Sequence, residues 1–162
     1  MEKKQTDHKL NLPLFEPQLK SEGGESFIFD PIRRKFVKLE PEEWVRQHFV
    51  HLLLGKDYPR GLFAVERGHK QNKRQKRTDI LVHDRSGNAL MLVECKAPKV
   101  PINKTVLQQA LFYNQTHCAP FLGISNGLVH FFFYLDKKRG NTEQLSTLPN
   151  FEEALQMASA IG

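Results

Sequence analysis

The sequence has only two cysteines, Cys95 and Cys118, among its 162 residues. Both lie in apolar stretches, where a free thiol behaves as a small hydrophobic group, and nothing suggests a disulfide framework. No apolar run approaches the roughly 20 residues that a membrane-spanning helix needs, and the polar start lacks the apolar core of a signal peptide. We therefore expect a cytoplasmic protein that has no membrane association.

Acidic residues are fewer than basic ones, 18 against 24, which leaves a formal net charge of +6. This excess fits a polyanionic partner and a generally basic surface equally well. Its distribution favours the first interpretation, because five basic residues crowd into positions 70–77, directly before Asp79: Lys70, Lys73, Arg74, Lys76 and Arg77. Although charge runs usually form solvated loops, this run could neutralise phosphates. We predict that it binds nucleic acid.

The chain divides into a leader and a single domain. Residues 1–26 contain Pro13, Pro17 and two adjacent glycines with little periodicity, which predicts an extended leader. Residues 27–162 have a length that suits one domain. That domain begins with a predicted hairpin around Asp30-Pro31.

Helical and strand patterns alternate along the rest of the chain. The predicted elements are a helix over 41–54, strands over 62–65, 79–83 and 89–96, a helix over 103–115, strands over 121–124 and 128–135, a basic loop, and a short final helix capped by Asn150 and Glu153. This order predicts the α/β fold class, with a central mixed sheet flanked by helices.

Charged residues flank two of the predicted strands. Side chains alternate along a strand, so Glu94 and Lys96 share one face at the end of the apolar strand. Asp79 stands at the start of the preceding strand, and a turn at residues 84–88 would make the two strands antiparallel. Start and end would then be adjacent, which could place Asp79 beside Glu94.

Two carboxylates and one ammonium would converge at this point. Such oxygen ligands suit Mg²⁺, and a lysine close by can stabilise a developing phosphate charge or help to activate a metal-bound water. On spacing alone, an ordinary ion-pair cluster at a sheet edge explains the pattern slightly better, because an acid two residues before a lysine is common.

The motif Asp79…Glu94-Cys95-Lys96 resembles the signature of PD-(D/E)XK nucleases. The resemblance is strongest to the nuclease-like domain at the N-terminus of type I restriction-enzyme R subunits and to small stand-alone proteins built on it. It covers roughly residues 30–135, and several further parts agree in order: Glu42-Glu43-Trp44-Val45-Arg46-Gln47, Arg77-Thr78-Asp79-Ile80-Leu81-Val82, Val93-Glu94-Cys95-Lys96-Ala97-Pro98, Gln109 with Tyr113-Asn114, and Ser125-Asn126-Gly127.

The resemblance implies a restriction-endonuclease-like fold and a role for each matched position. Asp79 and Glu94 would bind Mg²⁺, with Mn²⁺ as an alternative, aided by the Cys95 backbone carbonyl. Lys96 would be the catalytic lysine, Glu43 the helix carboxylate that completes the site, and Gln109 the helix residue that orients it. Glu42 adjoins Glu43 and is the alternative helix acid. Thr78 departs from the signature, which has proline there.

These roles imply a Mg²⁺-dependent endonuclease that hydrolyses phosphodiester bonds in nucleic acid, with DNA as the substrate by family analogy. The alternative is a catalytically silent module of the same fold that binds nucleic acid or a protein partner. No G-x-x-x-x-G-K-[ST] element occurs, so the chain has no P-loop ATPase and can at most be the nuclease part. A second copy or a separate helicase subunit would be its protein partner.

Overall fold

The computed structural model describes residues 9–65 and 80–159, and within them the strands form two sheets. The strands are β1 (Leu19–Glu22), β2 (Glu25–Asp30), β3 (Lys35–Lys38), β4 (Ile80–His83), β5 (Ala89–Cys95), β6 (Phe121–Ser125), β7 (His130–Asp136) and β8 (Asn141–Leu145). The helices are α1 (Pro41–Gly55), α2 (Lys104–His117) and α3 (Phe151–Ser159), and Arg60–Leu62 form a short 3-10 turn. None of the described helices is long and apolar enough to cross a membrane.

The larger sheet has the order β4-β5-β6-β7-β8. Strands β5 and β6 are parallel, which requires a crossover, and α2 provides it. The other neighbouring strands are antiparallel. The mixed sheet with helices packed against it confirms the predicted α/β fold class.

Strand β5 lies inside this sheet, between β4 and β6, and is buried along almost its whole length. Val93 and Cys95 belong to the core cluster that includes residues of α1 and α3. Leu92 points to the opposite side and packs in a second cluster with Ala110 of α2. By strand alternation, Glu94 and Lys96 follow Leu92 on the face that α2 covers.

The smaller sheet is antiparallel and has the order β1-β2-β3. Ile28 and Asp30 of β2 are completely buried. Ile28 joins the core cluster that contains Val45 and Val50 of α1, so this sheet packs beside that helix. Its second link to α1 is polar and runs through Asp30.

Several local predictions are confirmed. Strands β2 and β3 form the hairpin around Asp30-Pro31, and β4 pairs with β5 in the antiparallel sense, with Ile80 opposite Val93. Helix α3 has a reciprocal cap, in which Asn150 Oδ1 accepts from Glu153 N and Glu153 Oε1 accepts from Asn150 N. These features depend on neighbouring residues, which is why the sequence pattern predicted them.

Three segments differ from their predicted conformation. The predicted strand over 62–65 is wrong, because the 3-10 turn reaches Leu62 and Phe63 makes only a single bridge, to Val82. Strand β8 lies within the segment that was predicted to be a loop, and four of its five residues are exposed. This edge strand is polar and is held by backbone pairing with β7. Its sequence therefore lacks the hydrophobic alternation by which a strand is predicted. Strand β1, exposed throughout, lies within the predicted leader for the same reason.

Candidate active site at the end of strand β5

Glu94 and Lys96 form an ion pair where β5 ends. Lys96 Nζ lies 2.9 Å from Glu94 Oε1, and the two side chains are only 19% and 12% exposed, respectively. The Lys96 backbone N–H donates to the Ser125 carbonyl at 2.8 Å, which continues the β5–β6 pairing by one residue. The lysine is therefore held at both its backbone and its ammonium. Each charge offsets part of the cost of burying the other.

Asp79 and the basic run 70–77 lie outside the described residues. Ile80, the residue after Asp79, stands opposite Val93, the residue before Glu94. The antiparallel arrangement on which the prediction depended is thus present up to this point. The convergence of Asp79 with Glu94 stays a prediction.

Glu43 lies in the first turn of α1, where its carboxylate accepts two hydrogen bonds. Arg46 Nη1 donates to Glu43 Oε1 at 2.9 Å, and Gln47 Nε2 donates to the same oxygen at 2.8 Å. The spacing of three and four residues brings these side chains onto one face of the helix. The α1 acid that the family resemblance selected is therefore fixed by its own helix.

The pKa of Glu42 instead responds to the charges of Glu94 and Lys96 at the end of β5. Crowding by protein atoms raises the pKa of the Glu42 carboxyl, and the negative charge of Glu94 raises it further, whereas the positive charge of Lys96 opposes the shift. This sensitivity means that Glu42 lies within electrostatic range of the ion pair, although its side chain keeps contact with solvent. Both α1 acids therefore remain candidates for the helix carboxylate.

Gln109 lies on α2, the helix that covers the Glu94–Lys96 face. Its side chain is exposed, and the next residue, Ala110, is buried against the cluster that contains Leu92. Tyr113 follows one turn later and is partly buried. The role that the resemblance implies for Gln109 stays a prediction.

Two features of the site region were missed by the sequence patterns. Asp30 was interpreted as a turn residue, yet it is fully buried and bonded to Arg46 Nη1 at 3.0 Å. Gln47 was named only as part of the segment 42–47 that carries the family resemblance. Its Oε1 is the one buried side-chain nitrogen or oxygen atom, within the described parts of the chain, that lacks a hydrogen-bond partner. Aspartate before proline is ordinary in turns, so no local signal distinguished Asp30.

The donor atoms suit a hard divalent cation. Glu94 offers a carboxylate at the end of β5, and α1 offers the carboxylates of Glu42 and Glu43. Across residues 9–65 and 80–159, no three His, Cys, Asp or Glu side chains cluster closely enough to hold a metal ion by themselves. Mg²⁺ commonly uses one or two carboxylates together with water and substrate phosphate, so these donors fit its chemistry.

Comparisons with known proteins found similarity to a protein family and to a solved structure. Residues 41–149 match the family model for the N terminus of the type I restriction enzyme R protein (HSDR_N). Among solved structures, a fragment described as an HsdR subunit of a type I restriction enzyme from Vibrio vulnificus YJ016 matches with 25% sequence identity and a TM-score of 0.43. The match covers 61% of this chain and 19% of that one, so this chain corresponds to a small part of that protein. No curated protein matches the chain.

Proposed function

Because the chain belongs to the family of type I restriction enzyme R protein N termini, we propose that it is a Mg²⁺-dependent nuclease domain that hydrolyses phosphodiester bonds in DNA. The observation that carries the proposal is the 2.9 Å pair of Lys96 and Glu94 at the end of a buried strand. An acid and a lysine placed together at low exposure are the residue types that phosphoryl chemistry needs. DNA as substrate follows from the family.

Each residue of the candidate site has a distinct task in this proposal. Asp79 and Glu94 would hold the metal together with the Cys95 backbone carbonyl, and an α1 acid, Glu43 or Glu42, would add a further carboxylate. Bound Mg²⁺ supplies charge neutralisation at the scissile phosphate. The Lys96 ammonium stabilises the negative charge that grows on the phosphate as water attacks it. Gln109 orients the residues of the site.

The proposed nuclease function also implies contacts with DNA and with a protein partner. The basic run 70–77 neutralises backbone phosphates on either side of the cleavage point. The candidate protein partners are a helicase subunit and a second copy of the chain. In this proposal the domain spans residues 27–162, and residues 1–26 precede it.

Cleavage and metal binding should both depend on Glu94. We expect wild type to cut DNA only with Mg²⁺ or Mn²⁺, in assays on single- and double-stranded DNA and RNA. Glu94→Gln should abolish cleavage and remove Mn²⁺ binding measured by electron paramagnetic resonance, because it deletes a negative ligand while keeping the side-chain shape. Glu42→Gln and Glu43→Gln, measured in parallel, identify the helix acid as the variant that loses more Mn²⁺ affinity.

Two outcomes would contradict this proposal. Equal Mn²⁺ binding by wild type and Glu94→Gln would remove Glu94 from the site. If wild type binds nucleic acid or a protein partner but cuts none of these substrates with either metal, the chain is a catalytically silent binding module.

The basic run should determine the salt dependence of DNA binding. Each phosphate contact contributes about 0.9 to the slope of log affinity against log salt on duplex DNA. Replacing Lys73, Arg74 and Lys76 with alanine should therefore weaken binding and flatten that slope, measured by fluorescence anisotropy. The matched control replaces three exposed residues of the β7–β8 turn, Lys137, Lys138 and Arg139. If both triple variants flatten the slope equally, general charge explains binding and the run has no specific role.

A further inference from the structure

The Glu43 carboxylate is held by a buried polar network that begins in the smaller sheet. Resting on the proposed function, we propose that Asp30 and Gln47 are positioning residues that fix Glu43 for metal binding. The network runs from Asp30 of β2 through Arg46 to Glu43, and Gln47 joins it at Glu43. The Asp30–Arg46 bond joins residues 16 positions apart, so the packing of β2 against α1 creates this link, whereas the two bonds to Glu43 lie within α1.

Asp30 is the fixed end of the network. Its Oδ1 accepts from the backbone N–H groups of Ile32 at 2.8 Å and Arg33 at 3.2 Å. These two bonds set the orientation of the carboxylate, so that Oδ2 meets Arg46 Nη1 at 3.0 Å. Because Asp30 is completely buried, water does not compete for these donors.

Arg46 transmits this position to Glu43. The same guanidinium nitrogen, Nη1, lies 3.0 Å from Asp30 Oδ2 and 2.9 Å from Glu43 Oε1. Gln47 Nε2 approaches Glu43 Oε1 from the next position along the helix, at 2.8 Å. Both donors converge on one oxygen, whereas Glu43 Oε2 accepts no hydrogen bond from the described residues. One oxygen is thereby anchored and the other is left for a ligand.

Gln47 provides a second, independent indication that this network serves function. Its side chain is fully buried, yet Oε1 has no partner in the described residues. A buried acceptor without a partner lowers stability, so a network selected for stability alone would have an apolar residue here. Unsatisfied buried groups of this kind call for a functional explanation. Holding Glu43 through Nε2 supplies one.

Asp30 also lies outside the part of the chain that matches the family, which begins at residue 41. The smaller sheet therefore contributes a support to the candidate site that the family match does not include. In this inference, β2 is part of the active-site architecture, because it carries the carboxylate on which the Arg46 guanidinium is anchored.

The positioning role is tested by the Mn²⁺ affinity of the full chain, measured by electron paramagnetic resonance. The proteins compared are wild type, Asp30→Asn, Gln47→Met and Tyr58→Phe. Residues that orient metal ligands typically change metal affinity by about 10- to 100-fold, and we expect that loss in Asp30→Asn and Gln47→Met. Tyr58 is the control, because its buried hydroxyl donates to the Pro149 carbonyl beyond the other end of α1, roughly 20 Å away at 1.5 Å per residue. Its variant should lose stability and keep wild-type affinity.

Urea unfolding of the same variants distinguishes a role in positioning Glu43 from a role in stabilising the fold alone. Gln47→Met removes the unpaired oxygen, so its unfolding midpoint should stay at or above the wild-type value while its Mn²⁺ affinity falls. This variant also decides the question if Asp30→Asn does not fold. Wild-type affinity in Gln47→Met and Asp30→Asn, or an equal loss in Tyr58→Phe, would overturn the positioning role alone. Absence of Mn²⁺ binding by wild type would overturn the proposed function and this inference together.

Discussion

Replacing Lys96 with methionine is expected to lower DNA cleavage by about 100- to 1,000-fold at saturating Mg²⁺, while DNA binding stays close to wild type. In the proposed mechanism the ammonium acts mainly on charge that develops during the reaction. Its removal should therefore lower kcat and kcat/KM together and leave affinity largely unchanged. Single-turnover cleavage and fluorescence anisotropy measure the two effects separately.

Stability gives a second readout for the same variant. Lys96 lies 2.9 Å from Glu94, so its loss leaves a largely buried carboxylate without this cation. The metal-free variant should unfold at a lower urea concentration than wild type. Added Mn²⁺ should restore part of that loss, because a ligand that binds only the folded state stabilises it. Recovered stability without recovered cleavage would support a role for Lys96 in the transition state.

The matched control is Lys99→Met, which removes the same charge from an exposed position three residues away. We expect this variant to cut DNA at nearly the wild-type rate. A loss of similar size in both variants would show that net charge, and not the ammonium of Lys96, governs cleavage. Full rescue of Lys96→Met cleavage by metal would assign the lysine a purely structural task.

Among these variants, replacing Arg46 with methionine should cause the largest loss of stability, about 3–5 kcal/mol at pH 7, because it removes the closer of the two cations beside a buried carboxylate. Asp30 is completely buried and lies 3.0 Å from Arg46 Nη1. Urea unfolding at neutral pH measures this loss. The double variant Asp30→Asn/Arg46→Met is the control, and it should be more stable than Arg46→Met alone, since no buried charge remains at position 30.

The pH dependence of these variants follows from Asp30. Burial alone raises the pKa of Asp30, but the charge of Arg46 and the N–H groups of Ile32 and Arg33 outweigh burial, so its pKa in the folded protein lies below the usual value. A carboxyl group whose pKa is lower in the folded protein stabilises the fold at pH values above its unfolded pKa of about 4. This stabilisation is lost as the pH falls through the pKa of the folded state. Wild type should therefore lose stability in acid.

Without Arg46 the pKa of Asp30 should rise, because burial then opposes only the hydrogen bonds from the Ile32 and Arg33 N–H groups. The stability difference between wild type and Arg46→Met should shrink as pH falls from 7 to 4 in the unfolding measurements. A difference that stays constant over this range would mean that Asp30 is not the charge responsible. A difference that grows would place the lost interaction at another group.

Local patterns predicted much of the fold and part of the candidate site. The alternation along 90–96 placed Glu94 and Lys96 on one face, and the structure shows them bonded. The cap between Asn150 and Glu153 was predicted in the same way. Strand alternation and helix capping depend on residues only a few positions apart, so a single sequence contains the whole signal.

Elements without such a signal were missed. Strand β8 is polar and exposed, and its backbone pairing with β7 holds it in place. The apolar run at 62–65 looked like a strand, yet it forms the end of a 3-10 turn and one bridge. Short segments take their conformation from the neighbours against which they pack, and those neighbours are distant in sequence.

By itself, the sequence determined that an acid and a lysine stand together at the end of a buried strand, since that follows from a period of two. Only the tertiary structure decided how the α1 acids differ: Glu43 is bound by Arg46 and Gln47, whereas Glu42 senses Glu94 and Lys96. Adjacent helix positions point about 100° apart, so neighbouring identical residues meet different surroundings. Which surroundings each one meets depends on how α1 packs beside β2 and β5.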